Sequence, residues 1–238
     1  MVDEIKVGIN MRTLLVIPSY NEALNIENVI KDIQENAKGI DYVIVDDGSK
    51  DNTREIIEKN HFNCIYGFMN QGLFGAVQTG FKYALEYDYD IAIQFDGDGQ
   101  HPASAVAKLV EAIEAGNDIA IGSRFVSEMK PFTVRMLGSR MIAFSITLVT
   151  GQTIKDHTSG LRAYGKRCIA DYANDMNNPP EPDTLVYMLR KKRKITEVQV
   201  TMRDREFGES YLNLSNTIKY MSRMAISIFM IQPFRKVR

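Results

Sequence analysis

The chain has 238 residues, 45% of them hydrophobic and 25% charged, so it is long enough to bury the core of one large globular domain. Its 29 Lys and Arg residues nearly balance its 30 Asp and Glu residues, and this balance gives no reason to expect a nucleic-acid partner. The two cysteines, Cys64 and Cys168, are too few for a disulfide framework and lack the spacing of metal ligands.

The sequence contains no pattern typical of export or of a membrane span. Residues 1–10 lack the apolar core of a secretory signal and are interpreted as a short N-terminal extension. The longest apolar stretch, Met224 to Ile231, has eight residues, whereas a spanning helix needs roughly 18 to 20. We therefore expect a cytoplasmic protein, with a peripheral position on the inner face of the plasma membrane left open.

Short apolar runs alternate with helical patterns through the first half of the chain. The runs predict strands at Thr13 to Ile17, Tyr42 to Val45, Cys64 to Gly67, Ile91 to Phe95 and Asp118 to Gly122. Apolar residues at three- and four-residue spacing predict helices at 26–33, 52–59 and 73–87, and another from Pro102 to about Gly116. This alternation predicts the α/β class, with a mainly parallel sheet covered by helices on both faces.

The second half of the chain has a looser pattern. Its segments predict an apolar helix at Val134 to Val149, an extended segment at Thr158 to Tyr164, a helix at Asp183 to Lys192 and a strand at Thr196 to Met202. A last helix is expected from Asn213 to about Ile231, before a basic tail. We therefore divide the chain into one domain over residues 1–212 and a C-terminal amphipathic helix with its tail over 213–238.

Polar residues follow three of the predicted strands directly. They are Tyr20-Asn21-Glu22, Asp46-Asp47 and the segment from Asp96 to Gln100. Ligands of open parallel sheets bind beyond the carboxyl ends of the strands, so these clusters predict one shared binding site.

Asp96-Gly97-Asp98 places two carboxylates, separated by one small residue, at the end of a strand. Such a pair can bind a hard divalent cation, Mg²⁺ or Mn²⁺, which would bridge to a diphosphate and neutralise it as a leaving group. The alternative is an ordinary polar loop. His101 is interpreted either as a further metal or phosphate contact or as a loop histidine.

Several motifs in this order resemble family 2 glycosyltransferases, most of all the dolichyl-phosphate mannosyltransferase branch and its bacterial polyprenyl-phosphate relatives. The resemblance spans about residues 13 to 211. The motifs are Val16 to Glu22, Val45 to Thr53, Asn70-Gln71-Gly72 with Gly75, Asp96 to Pro102, Gly122-Ser123-Arg124, Asp156 with Thr158 to Arg162, and Arg205 to Ser210.

The resemblance implies a GT-A fold and a metal-dependent, inverting transfer of a sugar from a UDP- or GDP-sugar. It implies a nucleotide pocket in which Tyr20 stacks on the base and a carboxylate accepts a hydrogen bond from it. The residues implied there are Pro18, Tyr20, Glu22 and Asp47, with Asp46 as the alternative to Asp47. A turn-capping role for Asp46 also stays open.

The resemblance also assigns the metal and the phosphates. Asp96 and Asp98 would hold Mg²⁺ or Mn²⁺, with Gln100 nearby. Arginines would face the donor or acceptor phosphates, because a planar guanidinium can bind two oxygens at once. These arginines are Arg124, Arg140 and Arg205.

Two acceptors stay open. The favoured one is a polyprenyl phosphate at the cytoplasmic membrane face, for cell-envelope glycan synthesis, and the alternative is a sugar hydroxyl of a growing cell-surface polysaccharide. A hydroxyl acceptor needs a general base, and Glu181 occupies the position where many family members carry one. Tyr211 is an argument against the phosphate acceptor, since polyprenyl-phosphate enzymes usually carry a lysine at this position.

The C-terminal helix combines an apolar face with a basic face and a basic tail. Residues 217–238 therefore predict docking on an anionic membrane surface or against a small membrane protein. Packing on the chain's own domain, or in a homo-oligomer, is the alternative. Two readings from other classes are a nucleotidyltransferase, which would need a glycine-rich basic loop after the first strand, and a non-catalytic binding domain.

Overall fold

The computed structural model describes residues 11–131, 133–174, 181–203, 220–221, 223–232 and 234–235. The predicted extension over 1–10, the motif that contains Arg205 and the departure at Tyr211 lie outside the described residues. So does most of the segment that joins the last strand to the C-terminal helix.

The described chain contains seven strands and, ahead of its C-terminal segment, seven α-helices. The strands are β1 (Thr13–Ser19), β2 (Asp41–Asp46), β3 (Cys64–Tyr66), β4 (Ile91–Gln94), β5 (Ile119–Ser123), β6 (Arg162–Gly165) and β7 (Ile195–Gln199). The helices are α1 (Ile26–Asn36), α2 (Thr53–Lys59), α3 (Gly72–Glu86), α4 (Val106–Glu114), α5 (Val134–Thr150), α6 (Lys166–Asn174) and α7 (Pro182–Arg190). A 3₁₀ turn, Ala103–Ala105, precedes α4. The sequence analysis missed α6. It also began the extended segment that corresponds to β6 at Thr158, whereas the strand begins at Arg162.

The strands form one sheet in the order β3-β2-β1-β4-β6-β5-β7. β6 runs antiparallel to both β4 and β5, whereas the other pairs are parallel. The prediction of a mainly parallel α/β sheet is confirmed. The carboxyl ends of β1, β2 and β4 consequently lie side by side, which is the arrangement that the polar clusters require.

Helices cover both faces of the sheet, so successive residues of β1 enter opposite cores. Leu14 and Val16 pack in the core that includes α3, α5, α6 and α7, and Leu15 and Ile17 pack in the core that includes α1 and α4. Gly80 allows α3 to approach the sheet, because a Cβ atom there would lie 2.1 Å from Val16 Cγ1. This two-sided burial explains why β1 is a continuous apolar run without alternation.

The described part of the C-terminal segment is helical through residue 226 and continues as a π-helical turn over Ser227–Ile231. Met224 and Ile228 are buried in the same core as α5 and α7. The sequence pattern predicts one polar face for Lys219, Arg223 and Ser227, and this is wrong at Ser227, which is buried and donates a hydrogen bond to Asp183. Among the helices that the structure describes, none is long and apolar enough to cross a membrane.

Candidate active site

The carboxyl ends of β1 and β4 meet at Gly97. A Cβ atom on Gly97 would lie 3.2 Å from the Pro18 carbonyl oxygen and 3.7 Å from Glu22 Cγ, so a glycine permits close contact between the two loops. Glu22 in turn accepts a hydrogen bond from the Asn25 side chain at 2.7 Å. The structure therefore brings Pro18 and Glu22 next to the Asp96-Gly97-Asp98 segment.

His101 folds back onto Asp96. Its Nδ1 accepts a hydrogen bond from the Asp96 backbone N–H at 2.9 Å, and its Nε2 lies 3.6 Å from Asp96 Oδ2. Gln94 donates to Asp96 Oδ1 at 3.1 Å from the other side. The His101 ring is buried edge-on against Phe95. These contacts orient the Asp96 carboxylate and the His101 ring relative to each other.

Asp98 lines a cavity of about 180 Å³ together with Asn28, Asp32 and Arg203. Asp98 Oδ1 accepts the Gln100 backbone N–H at 3.1 Å, so Gln100 belongs to the same turn. Arg203 binds Asp32 through two hydrogen bonds of 3.0 Å. That ion pair ties the segment after β7 to α1 beside the carboxylate pair.

The carboxylates of Asp96 and Asp98 fit a hard cation that takes its remaining ligands from substrate. Within the described ranges, no group of three or more His, Cys, Asp or Glu side chains could form a complete protein cage. Mg²⁺ usually binds through one or two carboxylates together with water and substrate phosphates. Two carboxylates at the edge of an open cleft match that donor set.

Asp46 and Asp47 shape the loops at the end of β2. Asp46 Oδ1 accepts the Ser49 backbone N–H at 3.1 Å, which is the turn-capping contact considered from sequence. The two oxygens of Asp47 accept the backbone N–H groups of Gln71 and Gly72 at 2.8 and 2.7 Å. Both carboxylates are buried. Tyr20, which follows β1 directly, remains 39% exposed.

Arg124 is fixed by Asp156. Its Nε and Nη2 donate to the two carboxylate oxygens, each at 2.8 Å, and its backbone N–H donates to Oδ2 at 3.0 Å. Burial acts to raise the pKa of Asp156, but the hydrogen bonds and charge of Arg124 outweigh burial and lower that pKa. The Arg124 side chain is still 34% exposed, so the ion pair holds it at the cleft without burying it.

Arg162 holds the loop between Asp156 and β6. This fully buried side chain donates to the backbone carbonyls of Ser159 and His157 at 2.8 and 2.7 Å. The same loop brings Gly160 against Asp96, since a Cβ atom on Gly160 would lie 2.4 Å from Asp96 Oδ2. The loop therefore connects the Arg124 ion pair with the carboxylate pair.

Comparison with known proteins identifies the family. The pattern described as "Glycosyl transferase family 2" matches residues 14–172, which is more than half of the chain. The chain belongs to glycosyltransferase family 2. The resemblance drawn from the motifs is confirmed, and the protein is a glycosyltransferase.

Curated relatives of this glycosyltransferase include enzymes named for lipid-phosphate acceptors. Polyprenol monophosphomannose synthase of Mycolicibacterium smegmatis is 28% identical, over 90% of this chain and 86% of its own length. Dolichol-phosphate mannosyltransferase of Pyrococcus furiosus is 34% identical, over 89% of this chain and 62% of its own length. Undecaprenyl-phosphate mannosyltransferase of Micrococcus luteus is 29% identical, over 85% of this chain and 88% of its own length.

Solved structures confirm the GT-A fold. Glucosyl-3-phosphoglycerate synthase from Mycobacterium tuberculosis, in complex with Mn²⁺, UDP-glucose and phosphoglyceric acid, superposes with a TM-score of 0.69 at 17% identity. That match covers 92% of this chain and 80% of the other. A mannosyltransferase from Pyrobaculum calidifontis, in complex with GDP-mannose and Mn²⁺, superposes with a TM-score of 0.60 at 14% identity, covering 94% and 71%. At these identities the likeness concerns the fold alone.

A groove of about 520 Å³ opens in the glycosyltransferase next to Arg124. Its apolar wall comprises Phe125, Met129, Ala143 and Phe144, and its polar lining comprises Glu128, Lys130, Arg140, Thr147, Thr153 and Lys155. Arg140 Nη2 donates to the Lys130 carbonyl at 2.7 Å, which fixes it at the groove. Three cations against one carboxylate make this lining positive.

Lys130 is the central cation of this groove. Its ammonium donates to Ser139 Oγ at 2.7 Å and lies 5.2 Å from the centre of the Phe125 ring. Burial lowers its pKa, whereas the negative charge of Asp156 raises it. The positive charges of Arg124 and Arg140 also lower it, so both arginines lie within electrostatic reach of Lys130.

Glu181 precedes α7 and pairs with the C-terminal segment. Its Oε1 accepts a hydrogen bond from Arg223 at 2.6 Å. Burial raises the pKa of the Glu181 carboxyl, and the Arg223 charge partly opposes that rise. The predicted candidate base is therefore engaged by a cation, which lowers its availability to accept a proton.

Several contributors to the site were missed from sequence. Lys130 stands in an irregular segment, and only its place beside Phe125 and Arg140 in space reveals it. The Asp32–Arg203 pair joins residues 171 positions apart, which no local spacing can indicate. Gly160 could have been found from sequence. It lies within the family motif Thr158 to Arg162, and a glycine there permits another part of the chain to approach the backbone closely.

Proposed function

We propose that this glycosyltransferase moves a sugar from a UDP- or GDP-sugar to a polyprenyl phosphate, at the cytoplasmic face of a membrane and for cell-envelope glycan synthesis. The observation that carries the proposal is the groove beside Arg124, which combines an apolar wall with Lys130, Arg140 and Lys155. A lipid phosphate presents both an apolar chain and an anionic head, whereas a neutral saccharide hydroxyl has no need of clustered cations.

On the donor side, Asp96 and Asp98 would hold Mg²⁺ or Mn²⁺, with Gln100 in the same turn. The cation, when bound, neutralises the diphosphate leaving group. Tyr20 would stack on the base, and the walls of its pocket would come from the ends of β1 and β2. Those walls comprise Pro18, Glu22, Asp46 and Asp47, and a carboxylate in such a pocket suits uridine and guanosine alike.

On the acceptor side, Arg124 and Arg140 would orient the phosphate, together with Lys130. Arg205 is proposed for the same phosphates on the resemblance alone. An oxygen of the acceptor phosphate forms the new bond to the anomeric carbon as the bond to the nucleoside diphosphate breaks, and attack from the opposite face inverts that carbon. Because the phosphate oxygen is already anionic, the step requires no strong general base.

The names of the relatives support the same acceptor. Enzymes named for polyprenol, dolichol or undecaprenyl phosphate match 85 to 90% of this chain. Tyr211 replaces the lysine that polyprenyl-phosphate enzymes usually carry, and this counts against a phosphate acceptor. Lys130 supplies a cation at the groove, so a phosphate acceptor does not depend on a lysine at position 211.

Transfer to a sugar hydroxyl is the second candidate, and one observation favours it. Glu181 lies at the start of α7 with a pKa that burial raises, as a general base requires. Its contact with Arg223 opposes that role.

Both candidates are tested by offering UDP- and GDP-sugars, labelled in the sugar, with Mn²⁺ and undecaprenyl phosphate. The proposal predicts a labelled lipid product that disappears when EDTA is added. Donor hydrolysis without a lipid product would shift the assignment to a saccharide acceptor, and no donor turnover at all would contradict both.

A further inference from the structure

Residues 98–103, which we call the carboxylate turn, carry Asp98 away from the end of β4. Within this turn the Gln100 backbone N–H donates to Asp98 Oδ1 at 3.1 Å, so the Gln100 backbone and the Asp98 carboxylate are held together. Gly99 stands between them with a φ of +79°, and a glycine restricts the backbone little. The position of the Asp98 carboxylate therefore depends on contacts from outside the turn.

Asp32, in α1, makes the first of these outside contacts. Its Oδ2 accepts the Ala103 backbone N–H at 2.9 Å, across 71 positions of the sequence. The Asp32 side chain is only 12% exposed. Burial acts to raise its pKa, but hydrogen bonds from Arg203, Ala103 and Asn36 outweigh burial and lower that pKa. Asp32 therefore holds the end of the carboxylate turn as an ionised carboxylate at neutral pH.

Arg203, which follows β7, makes the second contact and joins it to the first. Its backbone N–H donates to the Gln100 carbonyl at 2.9 Å. Its guanidinium donates to both oxygens of Asp32, each at 3.0 Å. A bidentate pair of this kind fixes direction as well as distance, because the guanidinium is planar. We call Asp32 and Arg203 together the clamp, since they hold the carboxylate turn at Gln100 and at Ala103.

The clamp lies beside Asp98 itself. Asp98, Asp32 and Arg203 line the same cavity of about 180 Å³. The partner carboxylate, Asp96, has its own contacts with Gln94 and His101. Groups that hold a metal ligand from behind decide its orientation and strongly affect metal affinity. The structure shows such supports for both carboxylates, and those of Asp98 pass through the clamp.

We propose that the Asp32–Arg203 pair positions Asp98 for the divalent cation. Both are positioning residues, because they act through the carboxylate turn and not by contact with the cation. The inference rests on the proposed function, in which Asp96 and Asp98 hold Mg²⁺ or Mn²⁺. A turn that is already held in place loses less freedom when the cation binds, so breaking the clamp weakens cation binding.

The test measures Mn²⁺ binding directly, by the electron paramagnetic resonance signal of free Mn²⁺ in titrations of the full chain with UDP or GDP. We expect Arg203→Met and Asp32→Asn each to bind Mn²⁺ about tenfold more weakly than the wild type. The double variant should bind about as weakly as the single variants, because each substitution removes the same contact. Arg203→Lys, which keeps the charge without the planar fork, should have an intermediate affinity.

Turnover provides a second readout, which separates positioning from loss of the fold. The Mn²⁺ concentration that gives half the maximal rate should rise by the same factor in Arg203→Met. The kcat at saturating Mn²⁺ should stay within about threefold of the wild-type value, because excess cation restores the occupied site.

Arg167→Met is the matched control. Arg167 lies 3.4 Å from Asp118, whose side chain is 12% exposed, as that of Asp32 is. Asp118 precedes β5, which runs in the same direction as β4, so this pair lies at the sheet edge opposite Asp98. The variant should bind Mn²⁺ like the wild type.

The outcomes distinguish the clamp from the proposed function. If the wild type binds Mn²⁺ and the folded clamp variants bind it equally well, the clamp proposal is overturned and the metal site remains. A lower melting temperature with wild-type Mn²⁺ affinity would also overturn it, because the pair would then serve the fold alone. A wild type that binds no Mn²⁺ with either nucleotide would overturn the metal assignment of the proposed function, and the clamp with it. If Arg203→Met or Asp32→Asn does not fold, Arg203→Lys decides by the same measurement.

Discussion

A Cβ atom on Gly160 would lie 2.4 Å from Oδ2 of Asp96, so the loop before β6 closes directly on the carboxylate proposed to hold the metal. No side chain fits between them. Gly160→Ala should therefore displace Asp96 and lower kcat/KM by roughly 10- to 100-fold, with a higher Mn²⁺ requirement and a preserved fold. Steady-state kinetics over a Mn²⁺ titration, with circular dichroism for the fold, measure this effect.

Gly165→Ala is the matched control. Its Cβ would meet no atom closer than 3.5 Å, so the substitution should leave kcat/KM and the Mn²⁺ requirement unchanged. Equal behaviour of the Gly160 and Gly165 variants would show that the loop does not position Asp96.

The ion pair between Arg124 and Asp156 should contribute to stability. Asp156→Asn removes a buried charge that binds two nitrogens of the partly exposed Arg124 guanidinium, and we expect the free energy of unfolding to fall by about 2 kcal/mol. Urea denaturation measures it. Asp88→Asn breaks the exposed pair with Lys166 and should leave the midpoint unchanged. If the two variants have the same midpoint, the buried pair is not a stabilising contact.

Acid should destabilise the fold through His157. This fully buried ring contacts the Ser139 carbonyl at 2.8 Å, and burial lowers its pKa from 6.5 to about 4. The unfolded chain therefore takes up a proton below pH of about 6.5, whereas the folded chain does so only near pH 4. Lowering the pH from about 7 to about 5 should cost about 2 kcal/mol of unfolding free energy.

His157→Gln isolates that contribution, since the glutamine amide can still donate to the Ser139 carbonyl but does not titrate. Urea midpoints of both proteins across this pH range provide the measurement. The variant should show a clearly shallower pH dependence, and parallel curves would exclude His157 as the source. Asp156 does not confuse the comparison, because its lowered pKa confines its own loss of stability to more acidic solution.

Glu181→Gln distinguishes the two acceptors. If the acceptor is a phosphate, loss of the carboxylate should change kcat by less than about threefold. Arg223→Gln, which frees Glu181 while keeping its carboxylate, should have an equally small effect on kcat. A fall of about 100-fold or more in Glu181→Gln, with loss of the pH-dependent limb of the rate, would identify Glu181 as a general base and favour a hydroxyl acceptor.

Local patterns predicted the parts of this fold that depend on local burial. β1 could be recognised because both of its faces are buried. The edge of the sheet that carries the site could be recognised because Asp47 and Asp96 directly follow apolar strands. α6 was missed although Cys168, Ile169 and Tyr172 form a buried face, because most of its other residues are polar.

Features that depend on distant partners could not be predicted. The antiparallel direction of β6 follows from its position between β4 and β5, which only the folded sheet determines. The pairing of Arg124 with Asp156, 32 residues away, likewise requires the tertiary structure.

The most direct test of the account is mass analysis of the lipid product formed from undecaprenyl phosphate and the preferred nucleotide sugar with Mn²⁺. The wild type should add a single sugar to the lipid monophosphate, and Asp98→Asn, folded to the same extent, should form the product at least about 100-fold more slowly. A wild type that consumes the donor and leaves undecaprenyl phosphate unmodified, or an Asp98→Asn variant with wild-type rates, would contradict the account.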